Sequence, residues 1–195
     1  QAVAEGSYRH KKQSGGRGQF GEVHIRVYPF PAGSDPNEFT SNGRFPHVRE
    51  VKHDPTHNFL WIDSIVGGSI PNNFLPAVEK GFRERLERGV LAGYRVQNVA
   101  VEVHFGKHHP VDSSEAAFKT AGAMAFRNVF LEARPGLLEP IVKLQVTVPA
   151  AKLGDISADL STRRGRVLGR QRRRSAGQRH AGALGDARAR RGQPP

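Results

Sequence analysis

Four segments of the chain alternate apolar with polar residues, as Val23, Ile25 and Val27 do in the first of them. Alternation with a period of two is typical of a strand that buries one face. We therefore predict β-strands over residues 22–30, 59–66, 94–105 and 141–148.

Other segments repeat at the helical period. From Phe74 to Leu86 apolar side chains recur at every fourth position, and Gly89 supplies a typical helix end. A second helix is predicted to begin after the capping sequence 112–115 and to end before Pro135. A shorter helix is predicted from residue 150 to about residue 160.

Two regions lack any period. Residues 31–57 are rich in Pro, Gly, Asn, Asp and His, which indicates a long loop or insertion between strands. Residues 170–195 contain eight Arg, one Asp and a single large aliphatic residue, so they are expected to stay disordered. With a boundary at Pro135-Gly136, the predicted organisation is a first domain over 1–136, an incomplete second domain over 137–169 and an Arg-rich tail over 170–195.

The formal net charge is +12, from 30 Lys and Arg against 18 Asp and Glu, which favours a polyanionic partner such as RNA. There is no cysteine, so neither a disulfide nor a thiolate metal site can form. No apolar run approaches the roughly 20 residues of a membrane span, and no signal-like start is present. The expected location is the cytoplasm.

Residues 16–21 read Gly-Arg-Gly-Gln-Phe-Gly and satisfy the G-x-G-x-x-G pattern of nucleotide-binding loops. A dinucleotide site requires a helix after the glycines, whereas a strand is predicted here. A protein kinase would also need H-R-D and D-F-G sequences, and the chain has neither. We therefore set both nucleotide interpretations aside.

Cations and an amide flank these glycines, namely His10, Lys11, Lys12, Arg17 and Gln19. Bare backbone N–H groups beside cations suit phosphate and ribose, because glycines permit a close approach. The alternative is a mobile hairpin tip without a role.

The glycine segment resembles a tip loop in the fourth domain of bacterial elongation factor G. Further blocks keep that family's order along residues 13–169: Ile65-Val66-Gly67-Gly68-Ser69-Ile70-Pro71, Pro76-Ala77-Val78-Glu79-Lys80-Gly81, Gly89-Val90-Leu91-Ala92-Gly93-Tyr94, Val111-Asp112-Ser113-Ser114-Glu115, Leu137-Leu138-Glu139-Pro140-Ile141 and Arg163-Arg164-Gly165-Arg166. Each block alone is weak, but their shared order is specific.

The resemblance implies an α+β fold: a ribosomal protein S5 domain 2-like mixed sheet with two helices and a left-handed crossover, followed by a partial ferredoxin-like domain. It also implies a monomer that contacts small-subunit rRNA, tRNA and mRNA on the ribosome during translocation. GTP and Mg²⁺ would belong to an upstream domain of the intact protein, so this chain is expected to have no catalytic residue, cofactor or metal. The residues expected to contact RNA are Lys11, Lys12, Gly15, Gly16, Arg17, Gly18, Gln19, His108 and His109.

Three departures from the family keep alternatives open. Residues 33–57 exceed the usual connection, which suggests a paralogue or an unusual lineage and keeps open a role in ribosome recycling or antibiotic protection; a free-standing RNA-binding module is a further alternative. His47, His53 and His57 in that segment suggest a metal site only weakly, against a solvated loop. Pro110 stands where the family carries an acid, and the Arg-rich tail suggests a reading-frame error or an aberrant terminus.

Overall fold

The computed structural model describes residues 2–13, 15–41, 43–139, 142–162, 166–171 and 181–187. The chain divides into two compact units, Gln1–Gly136 and Leu137–Pro195. The elements of the first unit are β1 (Ala4–Lys12), β2 (Gln19–Pro29), α1 (Pro36–Ser41), β3 (Glu50–Asp54), β4 (Phe59–Asp63), α2 (Leu75–Glu87), β5 (Val99–Lys107) and α3 (Glu115–Glu132). Those of the second are β6 (Val142–Val148), α4 (Leu153–Thr162), β7 (Arg166–Gln171) and β8 (Ala181–Ala187).

The first unit is a five-stranded mixed sheet in the order β1-β2-β5-β4-β3, covered on one face by α2 and α3. β4 and β5 are parallel neighbours joined through α2, and the other pairs are antiparallel. The predicted α+β class with a mixed sheet and two long helices is confirmed. The hand of the β4–α2–β5 connection stays a prediction.

The main core lies between the sheet and the two helices. Alternate strand residues such as Ile25 and Val101 face Phe82 and Phe126, and all four are fully buried. Gly81 allows α2 and α3 to approach closely, because a Cβ there would lie 2.3 Å from the carbonyl oxygen of Lys119. The predicted starts of both helices hold, and the Ser114 side chain caps α3 by accepting from the Ala117 N–H.

The predicted loop over residues 31–57 is wrong in part, because it contains α1 and β3. Phe39, Phe45 and Val51 of this segment pack on Tyr28 and on neighbouring apolar residues of the second sheet face. The segment is therefore a cover for that face rather than an open loop.

The second unit places β8 between β6 and β7, antiparallel to both, with α4 connecting β6 to β7. This is the split β-α-β arrangement of a ferredoxin-like fold, which within the described residues lacks the second helix and the fourth strand of the full β-α-β-β-α-β order. The prediction of disorder over 170–195 is wrong for Ala181–Ala187, which form β8, because backbone pairing does not require large side chains. The remainder of that tail beyond Gln171 lies outside the described residues, as do the predicted family residues 163–165. No described helix has the length and apolarity that a membrane crossing requires.

Candidate nucleic-acid interface

The glycine-rich segment is the turn of the β1–β2 hairpin. Lys12 pairs with Gln19, so residues 13–18 form the loop, of which Ser14 lies outside the described residues. Gly15 and Gly16 have φ of +43° and +156°, and a Cβ on either would meet nothing within 4 Å. Backbone conformation explains the two glycines, and neither amide donates to an acceptor among the described residues.

A second loop, residues 108–114 between β5 and α3, lies directly beside the hairpin turn. The Phe20 N–H donates to the Asp112 carbonyl at 2.9 Å. The Ser113 hydroxyl donates to the Phe20 carbonyl at 2.9 Å and accepts from the His109 N–H at 2.8 Å. Because Ser113 is buried, this hydroxyl closes the second loop and fastens it to β2.

Arg17 and Gly18 strengthen the junction between the loops. The Arg17 Nε donates to the Val111 carbonyl at 3.1 Å, while the described residues offer no partner to its two terminal nitrogens. A Cβ on Gly18 would lie 2.8 Å from the Asp112 carboxylate carbon. Gly18 therefore serves close packing of the loops, and the guanidinium end of Arg17 remains available for a planar acceptor such as phosphate.

His109 is oriented by its own loop. Its Nδ1 accepts from the N–H groups of Val111 and Asp112 at 3.3 and 3.2 Å. A nitrogen that accepts carries no proton, so the 3.6 Å approach of the same Nδ1 to the Asp112 carboxylate is not an ion pair in this arrangement. The proton then resides on Nε2, which makes the exposed edge of the ring a donor.

The other predicted residues differ in whether their side chains already have hydrogen-bond or ion-pair partners. The Gln19 side-chain oxygen accepts from the His10 Nε2 at 2.8 Å, which leaves the Gln19 amide nitrogen unoccupied. Lys11, Lys12 and His108 are exposed and form no ion pair with any described residue. The charge of the two lysines is thus not cancelled by a carboxylate among the described residues.

Arg9, although adjacent on β1, is not part of this cationic set. It is paired with Glu22, which is buried and also bonded to His24 Nε2 at 2.8 Å. Burial alone would raise the pKa of Glu22, but the hydrogen bonds from His24 and Arg9 outweigh it and hold that pKa below its usual range. Glu22 is therefore a charged anchor beneath the hairpin.

The structure thus brings the predicted residues of both loops to one end of the sheet. It also reveals three contributors that the sequence did not single out: Ser113, Val111 and the exposed Lys107, which pairs in register with Glu22. Ser113 lies in the family-like block of residues 111–115, but only its hydrogen bond to the Phe20 carbonyl shows what its side chain does.

The three histidines suggested as a metal site have separate partners. His57 is buried between Asp54 at 3.1 Å and Glu87 at 2.9 Å. His53 contacts Asn58 at 3.2 Å, and His47 lines a different cleft. Among the described residues no group of three metal-binding side chains is assembled.

Comparison with known proteins supplies the family. The model of elongation factor G domain IV matches residues 43–134, a range that includes the second loop, and that of the elongation factor G C-terminus matches residues 136–182. A crystal structure from Thermus thermophilus is 34% identical, with a TM-score of 0.68 over 95% of this chain and 23% of that one. The chain thus spans under a quarter of that structure's length.

Two consecutive elongation factor G models cover most of the chain in the expected order, and the fold agrees with both. The chain belongs to the elongation factor G family, of which it carries domain IV and a C-terminal segment.

Proposed function

We propose that this chain is the ribosome-facing part of a translation factor that promotes movement of tRNA and mRNA, with its two joined loops contacting RNA at the decoding centre of the small subunit. The observation that carries the proposal is the junction itself. Arg17 bonds to Val111 and Ser113 bonds to Phe20, so the cations of the hairpin and the exposed histidines of the second loop are held as one surface.

The chemistry of this surface suits a substrate of any sequence. Lys11, Lys12 and the terminal nitrogens of Arg17 are donors for phosphate, and phosphate contacts position a nucleic acid without reading its bases. The Nε2–H of His109 and the Gln19 amide add donors for ribose or phosphate oxygens. A translocating factor must act on every codon, which such contacts permit.

Pushing RNA also requires stiffness behind the loops. The hairpin and the second loop emerge from β2 and β5, which pair over most of their length and bury Val23, Ile25 and Val103 beneath the helices. In the proposal, an upstream domain of the intact cytoplasmic, monomeric factor binds GTP and Mg²⁺ and hydrolyses the nucleotide.

The test uses the full-length factor carrying Arg17→Gln. Loss of a charged hydrogen bond of about 1.5–3 kcal/mol predicts translocation slower by roughly 10- to 100-fold, with ribosome-stimulated GTP hydrolysis unchanged. Arg88→Gln, at an exposed arginine beyond the end of α2, removes the same charge and is expected to translocate normally. Equal loss of both activities in Arg17→Gln, or equal slowing by Arg88→Gln, would refute the proposal.

A recycling or ribosome-protection role is the second candidate, and the packed segment 33–57 favours it because it remodels a sheet face within the same domain. A factor of this kind would split or rescue ribosomes without translocating. Measuring translocation and subunit splitting with the same full-length protein separates the two.

A further inference from the structure

A third surface lies at the same end of the sheet as the two loops. β4 runs parallel to β5, with Asp63 beside Val103, so both strands finish at that end. β3 is antiparallel to β4 and begins there, since Glu50 pairs with Asp63. The chain before β3 and the chain after β4 are therefore neighbours of the loops across the sheet.

The segment after β4 packs directly against the strand that leads to the second loop. A Cβ on Gly106 would lie 2.4 Å from Cγ1 of Ile70. Ile70 is fully buried, so residues 64–71 are fixed against the tip end of β5.

Between these two segments lies an open cleft of 510 Å³. Its lining includes His47 and Arg49 from before β3, Gly67 and Gly68 from after β4, and Asn72. No Asp or Glu is among the described residues that line it. The cleft therefore presents the Arg49 guanidinium, with no carboxylate among its described lining residues.

Arg49 is held in place rather than free to swing. Its Nη2 donates to the Asn72 side-chain oxygen at 3.1 Å, and its backbone N–H donates to the Asp63 carbonyl at 2.7 Å. The buried Asp63 carboxylate lies 3.8 Å from Nη1 and lines the neighbouring cleft, where it offsets part of the charge. The Arg49 side chain is still 41% exposed.

The opposite wall is a glycine turn. Gly67 and Gly68 have φ of +66° and +68°, and a Cβ on either would meet nothing within 4 Å. Neither amide donates to an acceptor among the described residues. Successive amides without an acceptor in the described chain, next to a fixed guanidinium, favour the binding of an anion.

We propose that this cleft is a third phosphate-binding site for RNA, formed by His47, Arg49 and the amides of Gly67 and Gly68. The inference rests on the proposed function in so far as RNA must already lie at this end of the sheet. It gives segment 33–57 a function, since that segment brings Arg49 and His47 to the glycine turn. RNA held here would be gripped beyond the reach of the two loops.

The test uses the 195-residue chain and a short fluorescein-labelled RNA duplex. Arg49→Gln keeps a polar partner for Asn72 but removes the charge. It should weaken duplex binding roughly three- to tenfold and lower the slope of log affinity against log salt by about 0.9, the value of one phosphate contact. Arg88→Gln is the charge-matched control and should bind as the unmodified chain does.

A second measurement does not require any change to the cleft itself. In amide NMR spectra of the unmodified chain, the Gly67 and Gly68 cross-peaks should shift as the duplex is added, and should do so in Arg17→Gln as well. Stationary cross-peaks, or equal weakening by Arg49→Gln and Arg88→Gln, would overturn the site. If Arg17→Gln binds the duplex normally while Arg49→Gln binds it weakly, the cleft binds RNA and the two-loop proposal fails. If Arg49→Gln binds normally while Arg17→Gln binds weakly, the two loops bind RNA and the cleft proposal fails.

Discussion

Removing one hydroxyl should weaken the junction between the two loops. The Ser113 side chain bonds to the Phe20 carbonyl at 2.9 Å and to the His109 N–H at 2.8 Å. Each bond contributes about 0.5–1.5 kcal/mol, so Ser113→Ala should cost the junction about 1–3 kcal/mol. Because Ser113 is only 8% exposed, water replaces the lost partners poorly, and the upper half of that range is expected.

The sensitive readout is hydrogen exchange of the His109 amide, which donates to the Ser113 hydroxyl in the closed loop. Since 1.4 kcal/mol corresponds to a factor of ten, a loss of about 2 kcal/mol should speed its exchange by roughly 30-fold. The neighbouring serine provides the control. Ser114→Ala removes the cap on the Ala117 N–H, at about 1 kcal/mol, without touching the loop junction.

Ser114→Ala should therefore accelerate exchange in the first turn of α3 and leave the His109 amide unchanged. If both variants accelerate exchange of the His109 amide equally, the effect is general destabilisation and Ser113 does not specifically hold the two loops together. If Ser113→Ala leaves His109 protected, the loop is closed by other contacts.

Three further outcomes are expected. The pKa of Glu22 lies below its ordinary value of 4.5, so its contribution to stability is present above that pH and is lost as pH falls through the folded value. Urea midpoints of Glu22→Gln should accordingly be lower near neutrality and fall less on acidification than those of the unmodified chain. Gly81→Ala places a Cβ 2.3 Å from a backbone oxygen. After the gain of about 1 kcal/mol in helix propensity, urea titrations should show a net loss of about 2 kcal/mol in unfolding free energy. In Gly154→Ala the new Cβ meets open space, so that variant should lose no unfolding free energy. The double variant Lys11→Gln, Lys12→Gln should lower the slope of log affinity against log salt for RNA-duplex binding by about 0.9 for each phosphate that is no longer neutralised. Fluorescence anisotropy measures this slope, and an unchanged slope would show that neither lysine contacts the RNA.

The sequence predicted those elements whose burial pattern is locally repetitive. The apolar period from Phe74 to Leu86 and the cap at Ser114 correspond to α2 and α3 within a few residues. β1 was not predicted as a strand, since the more buried positions of its alternation, Ala4, Gly6, Tyr8 and His10, include no large aliphatic residue. A Cβ on Gly6 would lie 2.8 Å from Cγ2 of Val129, so the overlying α3 leaves no room for a larger side chain at that position.

Segment 33–57 escaped prediction for a different reason. Phe39, Phe45 and Val51 follow no period, and their apolar character is explained only by the sheet face that they reach. The candidate site, too, was predictable from the sequence only in part. The composition of the glycine loop indicated phosphate chemistry, but the bond between Ser113 and Phe20 joins residues 93 positions apart, and only the folded chain brings them together.

The aromatic cover on the second sheet face also limits how this protein can be redesigned. Trimming residues 33–57 to a short turn would leave Tyr28, Leu60 and Ile62 facing water beside β4, which would become an unprotected sheet edge. An exposed apolar edge strand favours intermolecular pairing and aggregation. A shortened version would therefore need polar replacements at Leu60 and Ile62 and a charged residue on β4, so the length of this connection and the chemistry of that face have to be changed together in any redesign.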